Sequence, residues 1–193
     1  MEESLRDASA IDLLIDQHDA VRTLLQTVAA GPTDARRSNF EDLVRLLAVH
    51  ETAEEEVVHP RARQIDKEAE RIIEQRLTEE SNAKSTLARL EGMDPETEEF
   101  LQLFLSFRVA VEDHAESEEL EEFTRLRQAL SLDELKQMGR TLQLAEAMAP
   151  THAHRAAPTS AVGNMLVGPF VSMVDRVRDA IRDGRRSAAD SRQ

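Results

Sequence analysis

The side chains able to do chemistry in this chain are histidines and carboxylates. There are six histidines and no cysteine, tyrosine or tryptophan. Disulfides, thiolate zinc sites, iron–sulfur clusters, cysteine nucleophiles and tyrosyl chemistry are therefore excluded. Three histidines continue apolar stripes of helical spacing. His18 lies between Ile15 and Val21, in step with Ile11, Leu14 and Leu25; His50 continues Leu43 and Leu47; His114 continues Phe107 and Val111. Burying an imidazole costs free energy unless something satisfies it. Glu54 follows His50 by four residues, and Glu118 follows His114 by four. On a helix that spacing turns about 40°, so each pair shares one face, and both pairs point along the buried stripe.

Unpaired carboxylates in a dry core are heavily penalised. A cation reverses the penalty, because it neutralises carboxylates and accepts the lone pair of a neutral imidazole. Nitrogen and oxygen donors without sulfur suit iron, manganese or zinc. Two helices that each give a His and a Glu, with further donors from the others, suffice for two metal ions bridged by carboxylates. The competing reading is a metal-free bundle whose core histidines simply hydrogen-bond to the glutamates. Of the acidic runs Glu54 to Glu56 and Glu118 to Glu122, only Glu54 and Glu118 are expected to face inward. His152 and His154 read as solvated linker residues.

Helices must position these groups. Apolar residues recur at threes and fours between clustered Gly and Pro, with no alternating strand pattern, so the expected fold is all-α. Helix limits are read at about 9–29, opened by a Ser9–Asp12 cap, and 34–59, stopped by Pro60. A third run spans about 66–91, and a fourth starts at Asp94-Pro95 and continues, with a bend, towards Leu130. Ser131 to Glu134 opens a fifth helix ending before Pro150. Short links predict an antiparallel four-helix bundle with this fifth helix added, together residues 1–149. Residues 150–163 read as a linker, 164–183 as an amphipathic tail helix suited to docking on its own bundle, on a second copy or on a partner, and 184–193 as a disordered end.

The chain has 193 residues and a net charge of 24 − 38 = −14, with a pI near 4.9. That balance disfavours nucleic-acid binding, and six Phe as the whole aromatic complement leave no rings for base stacking. There is no basic, apolar leader and no apolar run of about 20 residues, so no transmembrane segment and a cytoplasmic location are expected. No glycine-rich phosphate loop and no serine-nucleophile elbow occurs.

Four motifs in this order resemble the hemerythrin-like (HHE cation-binding) family, actinobacterial members with a C-terminal tail helix in particular. They are DLLIDQHDAV around His18, HETAEEEVVHP from His50 to Pro60, the Glu79-Glu80 pair, and DHAESEEL around His114 and Glu118; the likeness covers about residues 10–149. The resemblance implies a four-helix bundle with a non-haem di-iron centre. It implies His18, His50, Glu54, His114 and Glu118 as ligands, the glutamates bridging two iron ions, with zinc or manganese as other occupants. It implies oxygen, peroxide or nitric oxide as the small-molecule partner. The pattern departs at Ser81, where family members carry a third-helix histidine. Glu80, His59 or solvent is left to fill that place. His59, nine residues after His50, falls half a turn away on an ideal helix, and its simplest role is a helix-end histidine facing the C-terminal dipole.

Overall fold

A computed structural model describes residues 8–148 together with residues 178, 179, 181 and 182. The linker, most of the tail helix, the terminal segment 184–193, His152 and His154 lie outside the described residues. Five helices make up 8–148. Helix α1 is Ala10–Ala30. Helix α2 is Thr33–Ala53, continued by a π-helical turn Glu54–Val58 and a last turn His59–Ala62. Helix α3 is Lys67–Glu91. Helix α4 is Glu98–Ser117, a π-helical turn Glu118–Glu122 and Phe123–Ala129. Helix α5 is Leu132–Met148.

Local signals set most limits. Ser9 Oγ accepts the Asp12 amide and Asp66 accepts that of Ala69, capping α1 and α3. In α5 the reciprocal box forms: Ser131 Oγ accepts the Glu134 amide, and Glu134 accepts the Ser131 amide. Gly31 ends α1 with its N–H on Thr27 O, and a Cβ there would stand 2.3 Å from that oxygen, so only glycine fits. Two expected limits need correction. Asp94-Pro95 lies in the preceding turn, and Thr97 caps α4 by accepting the Phe100 amide. Pro60 does not stop α2; the helix runs on to Ala62 because the wide π turn before it relieves the requirement for a regular i→i−4 donor at Pro60.

Cross-helix contacts fix the directions. Arg36 donates to Val28 O and Pro95 O, and His18 meets His50, so α1 and α2 are antiparallel. Arg37 with Asp94 and Lys84 with Glu51 pair α2 and α3; Asp66 with Arg125 and Glu79 with His114 pair α3 and α4. Asp12 with Arg127 and His18 with Glu119 close α4 on α1. This is an up-down-up-down bundle. Helix α5 packs across α1, where Gly139 lets the α1 N-terminus approach so closely that a Cβ would lie 2.4 Å from Ala8 O.

The core has two apolar halves. One joins Leu25, Leu43, Leu90, Phe100, Phe104 and Phe107. The other joins Ile11, Leu14, Val58, Ile73, Phe123 and Leu142. On each of the four bundle helices a polar residue falls between the halves: His18, His50 with Glu54, Glu80, and His114 with Glu118. No helix among the described residues is long and apolar enough to cross a membrane.

Candidate metal centre

The buried polar layer is assembled by two π turns. In each, the first residue is the glutamate that follows a histidine by four: the His59 N–H bonds to Glu54 O, and the Phe123 N–H bonds to Glu118 O, both i→i−5. One inserted residue delays the helix by about 100°, so His59 stands about 80° from His50 rather than half a turn away. The same insertion brings Glu122 back to within about 20° of His114. His59 is consequently 3% exposed and Glu122 1% exposed. This corrects two expectations. His59 is not a helix-end residue on a dipole, and Glu122 turns inward together with Glu54 and Glu118.

Ligand-capable atoms of His18, His50, Glu54 and Glu118 lie within 4.8 Å of one another, and a second group formed by His59, Glu118 and Glu122 shares Glu118 with the first. His18 Nε2 is 3.1 Å from His50 Nε2 and 3.4 Å from Glu118 Oε2; His50 Nε2 is 3.3 Å from Glu54 Oε1. His114 stands at the edge, its Nε2 3.5 Å from Glu118 Oε2. Glu80 is buried and accepts from His59 Nε2 at 2.8 Å, while His59 Nδ1 donates to Glu122 at 3.1 Å. Ser81 is exposed; the third helix turns Glu80, not residue 81, to the centre.

The outer nitrogens of three imidazoles are occupied. His18 Nδ1 donates to Glu119 at 2.8 Å, His50 Nδ1 to Gln17 Oε1 at 2.7 Å and His114 Nδ1 to Glu79 at 3.1 Å. Each bond places a proton on Nδ1 and turns Nε2 inward, the orientation that metal-binding histidines adopt. Sequence reasoning missed Gln17 and Glu119 altogether and did not assign Glu79 this role. Polar residues one place before His18, one after Glu118 and one before Glu80 were the available signal.

Electrostatics and hydrogen bonding both point to a missing partner. Both oxygens of Glu54, both of Glu118, Glu122 Oε2 and His114 Nε2 are buried without a hydrogen bond. Burial and the facing Glu118 push the Glu54 carboxyl well above the usual carboxylate range. Burial, helped by the neighbouring histidines, holds His50 neutral, well below the usual imidazole range. Against desolvation, Glu122 and Glu80 raise His59 to about 10, and Glu118 with Glu79 raises His114 to about 9. So many orphaned donors for a cation, at a low exposure, fit a transition metal with nitrogen and oxygen ligands.

Beside the centre is a small cavity of about 20 Å³. His18, His50, His114, Glu51 and Glu80 form its polar wall, and Val21, Leu47, Ala83, Ala110 and Val111 its apolar wall.

The family model described as hemerythrin HHE cation binding domain matches residues 9–126. An uncharacterized hemerythrin-like protein of Schizosaccharomyces pombe is 24% identical over 170 residues, covering 87% of this chain and 84% of the relative. No solved structure matches. The match spans most of the helical bundle and every buried histidine and glutamate of the polar layer, and the chain belongs to the hemerythrin HHE cation-binding domain family.

Proposed function

We propose that the chain holds a two-iron, non-haem centre that binds or reacts with oxygen, peroxide or nitric oxide. The observation that carries this is two buried groups of histidines and carboxylates that share Glu118, in which oxygens of Glu54, Glu118 and Glu122 have no hydrogen bond. His18, His50 and Glu54 would hold one ion, His59 and Glu122 the other, with Glu118 between them and His114 and Glu80 within reach. Histidine and carboxylate donors suit iron, and manganese or zinc fit the same set. Iron held there would supply one-electron redox chemistry.

The chain's own residues do the rest. Gln17, Glu119 and Glu79 fix three ring orientations. The cavity has room for a small ligand, and its wall is part polar and part apolar. Glu51 stands on the polar wall, and burial beside Glu80 raises its carboxyl to about 7. It can hold or release a proton at its carboxyl oxygen next to the cavity at neutral pH. Metal analysis with a visible spectrum tests the iron reading. Timed peroxide decay, wild type against a His50→Ala, His114→Ala double variant, tests reactivity; equal rates would leave the reactive version without support.

One observation favours a metal-dependent sensor as a second reading. Arg178, in the tail, bonds to Glu55 and Glu56, and Ile181 is buried, so tail residues touch the helix that carries His50 and Glu54. Protease sensitivity of the tail that changes with iron loading, without peroxide consumption, would select that reading.

A further inference from the structure

Lys84 sits on α3 one turn beyond Glu80, with its side chain 29% exposed. Its Nζ lies 3.1 Å from Glu51 Oε2 and 3.3 Å from Glu80 Oε2, and it donates to the Glu55 carboxylate. These three carboxylates, from two helices, are close enough to share one ion. An ammonium lies among them instead. Glu80 is thereby divided, with Oε1 accepting from His59 and Oε2 facing Lys84. Two cations drawn to the same carboxylate repel each other, and in a partly buried site solvent screens that repulsion little. The group formed by His18, His50, Glu54 and Glu118 contains no residue that Lys84 touches. The second group is joined to Lys84 through the Glu80–His59 bond.

We propose that Lys84 is a tethered counter-cation that competes with the second metal for Glu80. The chain then fills the His18–His50–Glu54–Glu118 position first and the His59–Glu122 position second, as the ammonium withdraws towards Glu55, the most exposed of the three carboxylates. Lys84 is a positioning residue: it acts on the metal through the carboxylate it holds. The inference rests on the two-cation reading of the centre.

Anaerobic calorimetric titration of the chelator-stripped full chain with ferrous iron tests it, with metal analysis of the end point. The wild type should show two steps, the second weaker. Lys84→Met keeps the aliphatic stem and removes the charge; it should leave the first step alone and tighten the second by about tenfold or more. Lys84→Arg should behave as the wild type. Glu55→Gln removes the outer anchor of the ammonium and should weaken the second step, so the inference remains testable if Lys84→Met does not fold. An unchanged or weaker second step in Lys84→Met, or Lys84→Arg matching Lys84→Met, would overturn the role of Lys84 alone. A wild type that takes up no iron would overturn the two-cation reading itself.

Discussion

Replacing Glu54 by methionine should stabilise the cation-free protein and destabilise the loaded one. Glu54 is 0% exposed, and neither carboxyl oxygen has a hydrogen-bond partner. Its polar contact is a 3.3 Å approach to His50 Nε2, and His50 keeps its Gln17 bond whatever stands at position 54. An orphaned buried polar group costs about 1–3 kcal/mol, and methionine has similar length with nothing to satisfy. At roughly 2–4 °C per kcal/mol for a domain of this size, Glu54→Met should melt about 2–12 °C above wild type in chelator. With ferrous iron at about a thousandfold over its dissociation constant the wild type gains about 4 kcal/mol, and the variant forfeits most of that gain. The order of the two melting curves should therefore reverse when iron is added. Anaerobic melts followed by circular dichroism, with chelator and with iron, provide the comparison. A variant that melts below wild type in chelator, or that keeps the full iron-induced rise, refutes the reasoning; the carboxylates would then be ordinary stabilising core groups.

Four further outcomes follow from the same geometry. Gln17→Leu removes the acceptor that orients His50 and should weaken the first iron-binding step about 10–100-fold while leaving the fold intact by circular dichroism. His59→Ala should lower the iron stoichiometry by one ion and leave the first step in place, read by metal analysis. Stability of the cation-free protein should fall as pH rises from about 6.5 to about 10. His59, raised to about 10 by Glu122 and Glu80, and His114, raised to about 9, contribute stability that is complete below their unfolded value and is lost as pH climbs through the folded values. Iron uptake must displace those protons, so affinity should rise over the same range, with protons released in a buffer-dependent titration heat.

Helix number, order and most caps are legible in the sequence, because Ser9, Asp66, Ser131 and Gly31 act within one turn of themselves. His18, His50, Glu54 and Glu118 are legible too, since each lies on its helix's apolar stripe before any irregularity. What the sequence hides begins at the π turns. A wheel of 100° per residue puts His59 on the wrong side and scatters the acidic run after Glu118. The extra residue in each turn is what brings His59 and Glu122 inward, and it leaves no compositional mark beyond runs of Glu. The orienting groups Gln17, Glu79 and Glu119 are hidden for another reason: they neighbour inward-facing residues, so a stripe-based reading assigns them to solvent. Ser81 is the departure from the family pattern, yet Glu80 is the residue that α3 presents to the centre.

The most direct test of the metal centre is anomalous diffraction at the iron absorption edge from crystals of the iron-loaded chain. Two peaks should flank the Glu118 carboxylate, one against His18, His50 and Glu54 and the other against His59 and Glu122. Density without an anomalous peak there, with His18 and His50 simply bonded to each other and the carboxyls to water, would contradict it.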